Sequence, residues 1–135
     1  DIFFFVCHIV SLTLIYNYKQ VPKGTPAFMA PEILLEETVR YTGPPADIWS
    51  LGATLYMMVV GRQPWVAKDY MQLSYKVRHD ELTFPKQITL DPHLRNLITK
   101  ILTKNPKRRP TLRSLMSHEW ITAEGCEPMS PTLFN

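Results

Sequence analysis

Downstream of residue 43 the apolar positions fall into four stretches, each bounded by proline, glycine or aspartate. Ile48 to Val60 (IWSLGATLYMMVV) has only Ser50 and Thr54 as polar side chains. A helix there is apolar nearly all round, so it is expected to lie buried at the centre of a helical domain. Asp47 is placed to cap it, and Gly61 to end it on a left-handed residue before Pro64-Trp65. Its thirteen residues are too few to cross a bilayer, which takes about 20. Tyr70, Leu73 and Val77 repeat at three and four residues and predict a helix over 68–78. After Asp91-Pro92, an N-cap followed by a first-turn proline, come Leu94, Leu97, Ile98, Ile101 and Leu102, a full helical stripe. Asn105-Pro106 closes that helix. Thr111 then caps a last one, with Leu112, Leu115 and Met116 as its apolar face before Trp120 and Ile121. Upstream, Gly24-Thr25-Pro26 reads as a turn, Pro31 permits a helix start through Ile33 to Leu35, and Tyr41 to Pro45 reads as a loop.

The pattern predicts a mainly α unit of about five short helices around a buried central helix, without solenoid repeats. Length and composition agree: 135 residues, 45% hydrophobic and 20% charged, make one globular core. Twelve prolines favour short, separately ended helices. Cys7 and Cys126 stand near opposite ends without a CxxC, which excludes a disulfide scaffold and a zinc ribbon and favours a reducing, cytoplasmic setting. The formal net charge is +3, with Arg95, Lys100, Lys104, Lys107, Arg108, Arg109 and Arg113 in one stretch free of acidic residues. Most of these fall on the polar stripe of a helix or the turn after it, so solvated cations are expected rather than a nucleic-acid face. His8, His79, His93 and His118 match no ligand spacing, and no metal site is expected.

Ile2 to Tyr16 (IFFFVCHIVSLTLIY) holds twelve apolar residues in fifteen. It is short for a membrane span, interrupted by His8, Ser11 and Thr13, and lacks the basic start and small-residue cleavage site of a signal peptide. Because composition changes abruptly near Val21, residues 1–20 are expected not to be native to the domain that follows, as in a translated non-coding stretch or a misjoined gene. A buried strand or helix and a membrane segment are the alternatives. The chain starts at Asp1 rather than methionine, and an upstream part is expected to be missing. The domain is set at 21–122 and a fraying tail at 123–135.

Gly24-Thr25-Pro26-Ala27-Phe28-Met29-Ala30-Pro31-Glu32 resembles the end of a protein-kinase activation segment, which closes on Ala-Pro-Glu. At fitting spacings follow Asp47-Ile48-Trp49-Ser50-Leu51-Gly52, Gly61-Arg62-Gln63-Pro64-Trp65, Asn105-Pro106 with Arg109, and His118-Glu119-Trp120-Ile121. Over residues 24 to about 122 the chain resembles the helical lower half of the large lobe of a eukaryotic serine/threonine kinase. The wording around Phe28-Met29 and Leu82 to Pro85 is most similar to the calcium/calmodulin-dependent protein kinase kinases.

The resemblance implies roles. Gly24 and Thr25 open the substrate-positioning loop, and the Thr25 hydroxyl would bond the catalytic aspartate and its neighbouring lysine. Pro26, Ala27, Phe28 and Met29 would form the apolar pocket for the substrate residue after the phosphorylated serine or threonine. Glu32 would pair with Arg109 and pin the loop to the core. Asp47 would accept N–H groups from the catalytic loop, and Trp49 would anchor the core. A turn threonine, core residues at a chain reversal and a plain capping aspartate are the bland readings of Thr25, the loop and Asp47. The intact parent would use ATP and magnesium on protein substrates. This chain has no glycine-rich loop, catalytic aspartate, metal-binding asparagine or Asp-Phe-Gly, and Pro22 stands where relatives commonly carry the activating threonine. These residues alone are therefore expected to bind no ATP and to turn none over. A non-catalytic docking module of the same shape, with a protein partner, is the alternative.

Overall fold

A computed structural model describes residues 26–34 and 43–122. The roles expected of Gly24 and Thr25, the apolar run 2–16 and the tail lie outside those residues. Among the described residues the order is a 3-10 turn at Pro26–Phe28, then α1 (Pro44–Val60), α2 (Tyr70–His79), α3 (Pro92–Ile101) and α4 (Leu112–Leu115), with no strand.

The central helix begins earlier than its apolar run. Gly43 is the N-cap, at φ 73°, and Pro44 and Pro45 occupy the first helical positions, where a fixed φ is useful and a missing N–H costs nothing. Asp47 therefore sits in the first turn instead of at the cap, a correction to the expected capping role. Its charge still suits the positive end of the helix dipole. Gly61 ends α1 at φ 81°, its N–H donating to the Met57 carbonyl. Burial follows one side of the helix: Trp49, Ala53, Leu55 and Tyr56 are enclosed, whereas Met57 and Met58 are 41% and 38% exposed.

Where Pro31 permitted a helix start, residues 31–34 form a turn, with Ile33 and Leu34 N–H both donating to the Ala30 carbonyl. The next helix starts at Tyr70 because the Asp69 carboxylate takes the Gln72 N–H at 2.8 Å and Gln72 Oε1 reaches back to the Lys68 N–H at 3.0 Å. Asp91 caps α3 by accepting from Leu94 N–H at 3.0 Å, and Thr111 caps α4 by accepting from Ser114 N–H at 3.2 Å.

The core is one cluster joining Ala30, Ile33 and Leu34 of the early loop to α1, to Val77 of α2, to Leu94, Leu97, Ile98 and Ile101 of α3, and to Leu115 of α4. Each such large side chain contributes about 1.5–3 kcal/mol by leaving water. The α1–α3 crossing depends on Gly52: a Cβ there would lie 2.2 Å from Ile101 Cγ2.

Candidate functional site

Glu32 stands in the turn after Ala30, whose side chain is wholly buried, so the loop is fixed just before the carboxylate. Arg109 comes from the loop between α3 and α4. The two meet as a bidentate pair, Nη1 to Oε1 at 2.9 Å and Nη2 to Oε2 at 3.1 Å, across 77 positions of sequence. The Arg109 side chain has no exposed surface and that of Glu32 is 16% exposed. The remaining guanidinium donors reach carbonyls: Nε to Thr103 at 3.0 Å, Nη2 to Lys104 at 3.2 Å, and Nη1 to Pro45 in the first turn of α1. All five N–H groups are thus matched, which is what a buried arginine requires.

Aromatic packing extends the anchor. Arg109 Cζ lies 5.0 Å from the centre of the Trp49 ring, and Trp49 stacks on Trp65 with centroids 5.5 Å apart and planes 9° from parallel. Lys104 Nζ sits 4.8 Å over Trp65 and donates to the Val77 and Asp80 carbonyls at the C-terminus of α2. Burial pushes the Lys104 ammonium below its usual value, a shift that nearby Asp80 and Glu81 oppose. Trp65 Nε1 is buried without a hydrogen-bond partner among the described residues.

The expected substrate loop runs along α1. Ala27 is buried, while Phe28 and Met29 pack partly exposed against the core. Ser50 of α1 donates its hydroxyl to the Phe28 carbonyl at 2.8 Å. Beyond the pair, Pro44, Pro45, Ile48, Leu51, Pro110 and Leu112 line a largely apolar pocket of about 210 Å³, whose rim includes Asp47 and Arg109.

The structure thus brings together Glu32, Trp49 and Arg109, with Asp47 on the neighbouring pocket, and places Pro26 to Met29 against the same helix. Sequence reasoning missed Ser50 and Lys104. For Ser50 a signal was present, since it is one of two polar side chains in an apolar helix. For Lys104 there was none, because its acceptors and its ring come from α2, the residue that caps its end and the loop before it. His118, whose motif was noticed, also has a structural task. Its Nε2 meets Asn96 Oδ1 at 3.0 Å, its Nδ1 accepts the Trp120 N–H at 3.2 Å, and Glu119 beside it meets His93 at 2.8 Å. Among the described residues no three His, Cys, Asp or Glu side chains are grouped so as to hold a metal ion, and no helix is long and apolar enough to cross a membrane.

The sequence profile of the protein kinase domain matches residues 8–121, a span that reaches into the apolar run. A calcium/calmodulin-dependent protein kinase kinase of Caenorhabditis elegans is 43% identical over 108 residues, 79% of this chain and 20% of that protein. Serine/threonine-protein kinase GRIK1 of Arabidopsis thaliana is 44% identical over 102 residues, 75% of this chain and 24% of that protein. Sperm motility kinase 2B of Mus musculus is 37% identical over 114 residues, 80% of this chain and 23% of that protein. The chain therefore spans about a fifth to a quarter of the length of these relatives.

Proposed function

Because the chain belongs to the protein kinase family, we propose that it is the lower part of the large lobe of a serine/threonine kinase. Its intact form transfers the γ-phosphoryl group of ATP to protein hydroxyls. In this reading Gly24 to Met29 position the substrate, Thr25 holding the catalytic aspartate and Pro26 to Met29 receiving the residue after the acceptor. Asp47 supports the catalytic loop from the first turn of α1. The observation that carries the reading is the Glu32–Arg109 pair. It fixes the end of the loop to the helical core with two charge-assisted bonds, so that a substrate bound there meets a rigid wall.

Among the described residues no three His, Cys, Asp or Glu side chains are grouped and no glycine-rich stretch occurs, so they offer neither a metal cage nor a cradle for the ATP phosphates. Nucleotide chemistry in this reading belongs to other parts of the intact parent enzyme. Since positioning and charge neutralisation supply nearly all of kinase catalysis, the 135-residue chain alone is proposed to be inactive. A non-catalytic docking module is the second reading, favoured by the exposure of Val66, Tyr70, Met71 and Tyr75 on and before α2.

Sequencing the transcript upstream of Val21 tests the first reading against the second. An in-frame catalytic loop and Asp-Phe-Gly are expected. A genuine start codon directly before Asp1 would instead support the docking module. Incubating the purified chain with magnesium-ATP and serine peptides should give no phosphate transfer; measurable turnover would contradict the assigned inactivity.

A further inference from the structure

Phe28 closes the 3-10 turn, and no bond from three residues ahead can reach its carbonyl, because that residue is Pro31, which has no N–H. The donor it meets is Ser50 Oγ on α1, at 2.8 Å. Ser50 also has an acceptor in its own helix, the Ala46 carbonyl at 3.2 Å, the usual recipient of a helical serine's proton. A hydroxyl carries one proton, and the shorter contact assigns it to Phe28. The side chains of this stretch hold it less firmly. Phe28 and Met29 are only partly buried, and the next completely enclosed residue is Ala30.

We infer that Ser50 is a positioning residue for substrate selection: by donating to the Phe28 carbonyl it fixes how deep the Pro26 to Met29 wall lies against α1. It thereby sets the shape offered to the residue that follows the acceptor serine or threonine. The inference rests on the kinase reading above. Loss of the proton donor frees the Phe28 carbonyl to rotate, and the Phe28 and Met29 side chains shift with the backbone that carries them. The fold persists, because Ala30, Ile33, Leu34 and the Glu32–Arg109 pair still hold the segment. The consequence is altered selectivity rather than unfolding.

The test is titration of the isotopically labelled full chain with serine peptides that differ only in the residue after the serine (Leu, Phe, Pro or Lys), followed by amide chemical shifts. The unaltered chain is expected to rank them. Ser50→Ala should shrink the spread between best and worst roughly fivefold or more, as expected for one lost hydrogen bond. Ser50→Thr, which keeps the hydroxyl, should restore it. Thr54→Ala is the structural control: it removes the bond from Thr54 Oγ1 to the Ser50 carbonyl on the same helix and should leave the ranking unchanged. If Ser50→Ala folds poorly, Ser50→Cys, a weak donor of similar shape, reads the same loss. An unchanged spread in Ser50→Ala or Ser50→Cys overturns the role of Ser50 and leaves the pocket standing. Absence of binding by the unaltered chain to every peptide overturns both the pocket and this inference.

Discussion

Arg109 has five donors, and the fold meets each with an oxygen: two on Glu32 and one on each of Thr103, Lys104 and Pro45. Removing either partner of a buried pair costs about 3–5 kcal/mol, because the other is left uncompensated. The two deletions are not equivalent. Glu32→Ala strands a guanidinium that keeps three carbonyls, whereas Arg109→Ala strands those carbonyls and a carboxylate and uncovers Trp49. Arg109→Ala is therefore expected to be the more damaging, with a double mutant short of the sum by about 1–3 kcal/mol. Denaturant melts of the three variants check this, and additive losses would dissolve the pairing argument. Arg109→Lys should recover little, since an ammonium offers three donors from one point and cannot span the fork of Glu32.

Between elements, close approach matters more than propensity. Alanine in place of a helical glycine ordinarily stabilises by about 1 kcal/mol. At Gly52 the new Cβ would meet Ile101 Cγ2 at 2.2 Å and Leu102 Cδ2 at 3.1 Å, and Cγ2 is held at a branched Cβ that cannot swing aside. Overpacking costs about 1–3 kcal/mol, so Gly52→Ala should lower the melting temperature, and a double mutant with Ile101→Ala, itself a core truncation, should lose less than the sum of the two single losses. This contact, like the Lys104 contact with α2, was invisible in the sequence because it depends on which helices cross. Each helix's own stripe, as at Leu94, Leu97, Ile98 and Ile101, was legible because it needs only local periodicity. The start of α1 was misplaced for a related reason: hydrophobic pattern located the helix at Ile48, whereas Pro44 and Pro45 extend it by backbone geometry alone. The α3 contact with the final turn adds a pH dependence. Neutral His118 accepts from Trp120 N–H through Nδ1 and faces Asn96 through Nε2; His93 and Lys100 of α3 and Glu119 of its own turn surround it. Burial first, then Lys100 and His93, hold its imidazolium below the ordinary value of 6.5, with Glu119 opposing. A lowered folded value means that the stabilisation is complete above about 6.5 and is lost as pH falls from there through the folded value. Melting temperatures recorded from pH 7.5 to 5 should drop more steeply for the unaltered chain than for His118→Gln. Parallel curves would remove His118 from the account.

At the scale of the molecule, the early loop, α1, α2, α3 and α4 share one apolar cluster among the described residues. Recognition of the Ala-Pro-Glu motif and the late arginine was sufficient to place the loop against the helical core. The depth of that contact and its Ser50 tether required coordinates, since neither partner of the Ser50–Phe28 bond carries a pattern that names the other. A single cluster implies a single cooperative unfolding event, with total stability on the order of 0.05–0.15 kcal/mol per residue. Leu97 is 1% exposed near the centre of that cluster. An aspartate there must either bury a charge at several kcal/mol or open the α1–α3 crossing to water, and either demand consumes most of what a unit of this size possesses. Leu97→Asp should therefore show no cooperative melt and no near-ultraviolet signal from the stacked Trp49 and Trp65, whereas Leu97→Met, which conserves volume, should lose less than about 1.5 kcal/mol. A native-like melting curve for Leu97→Asp would mean that α3 does not sit in the core and that the family's helical frame has been wrongly traced onto this chain.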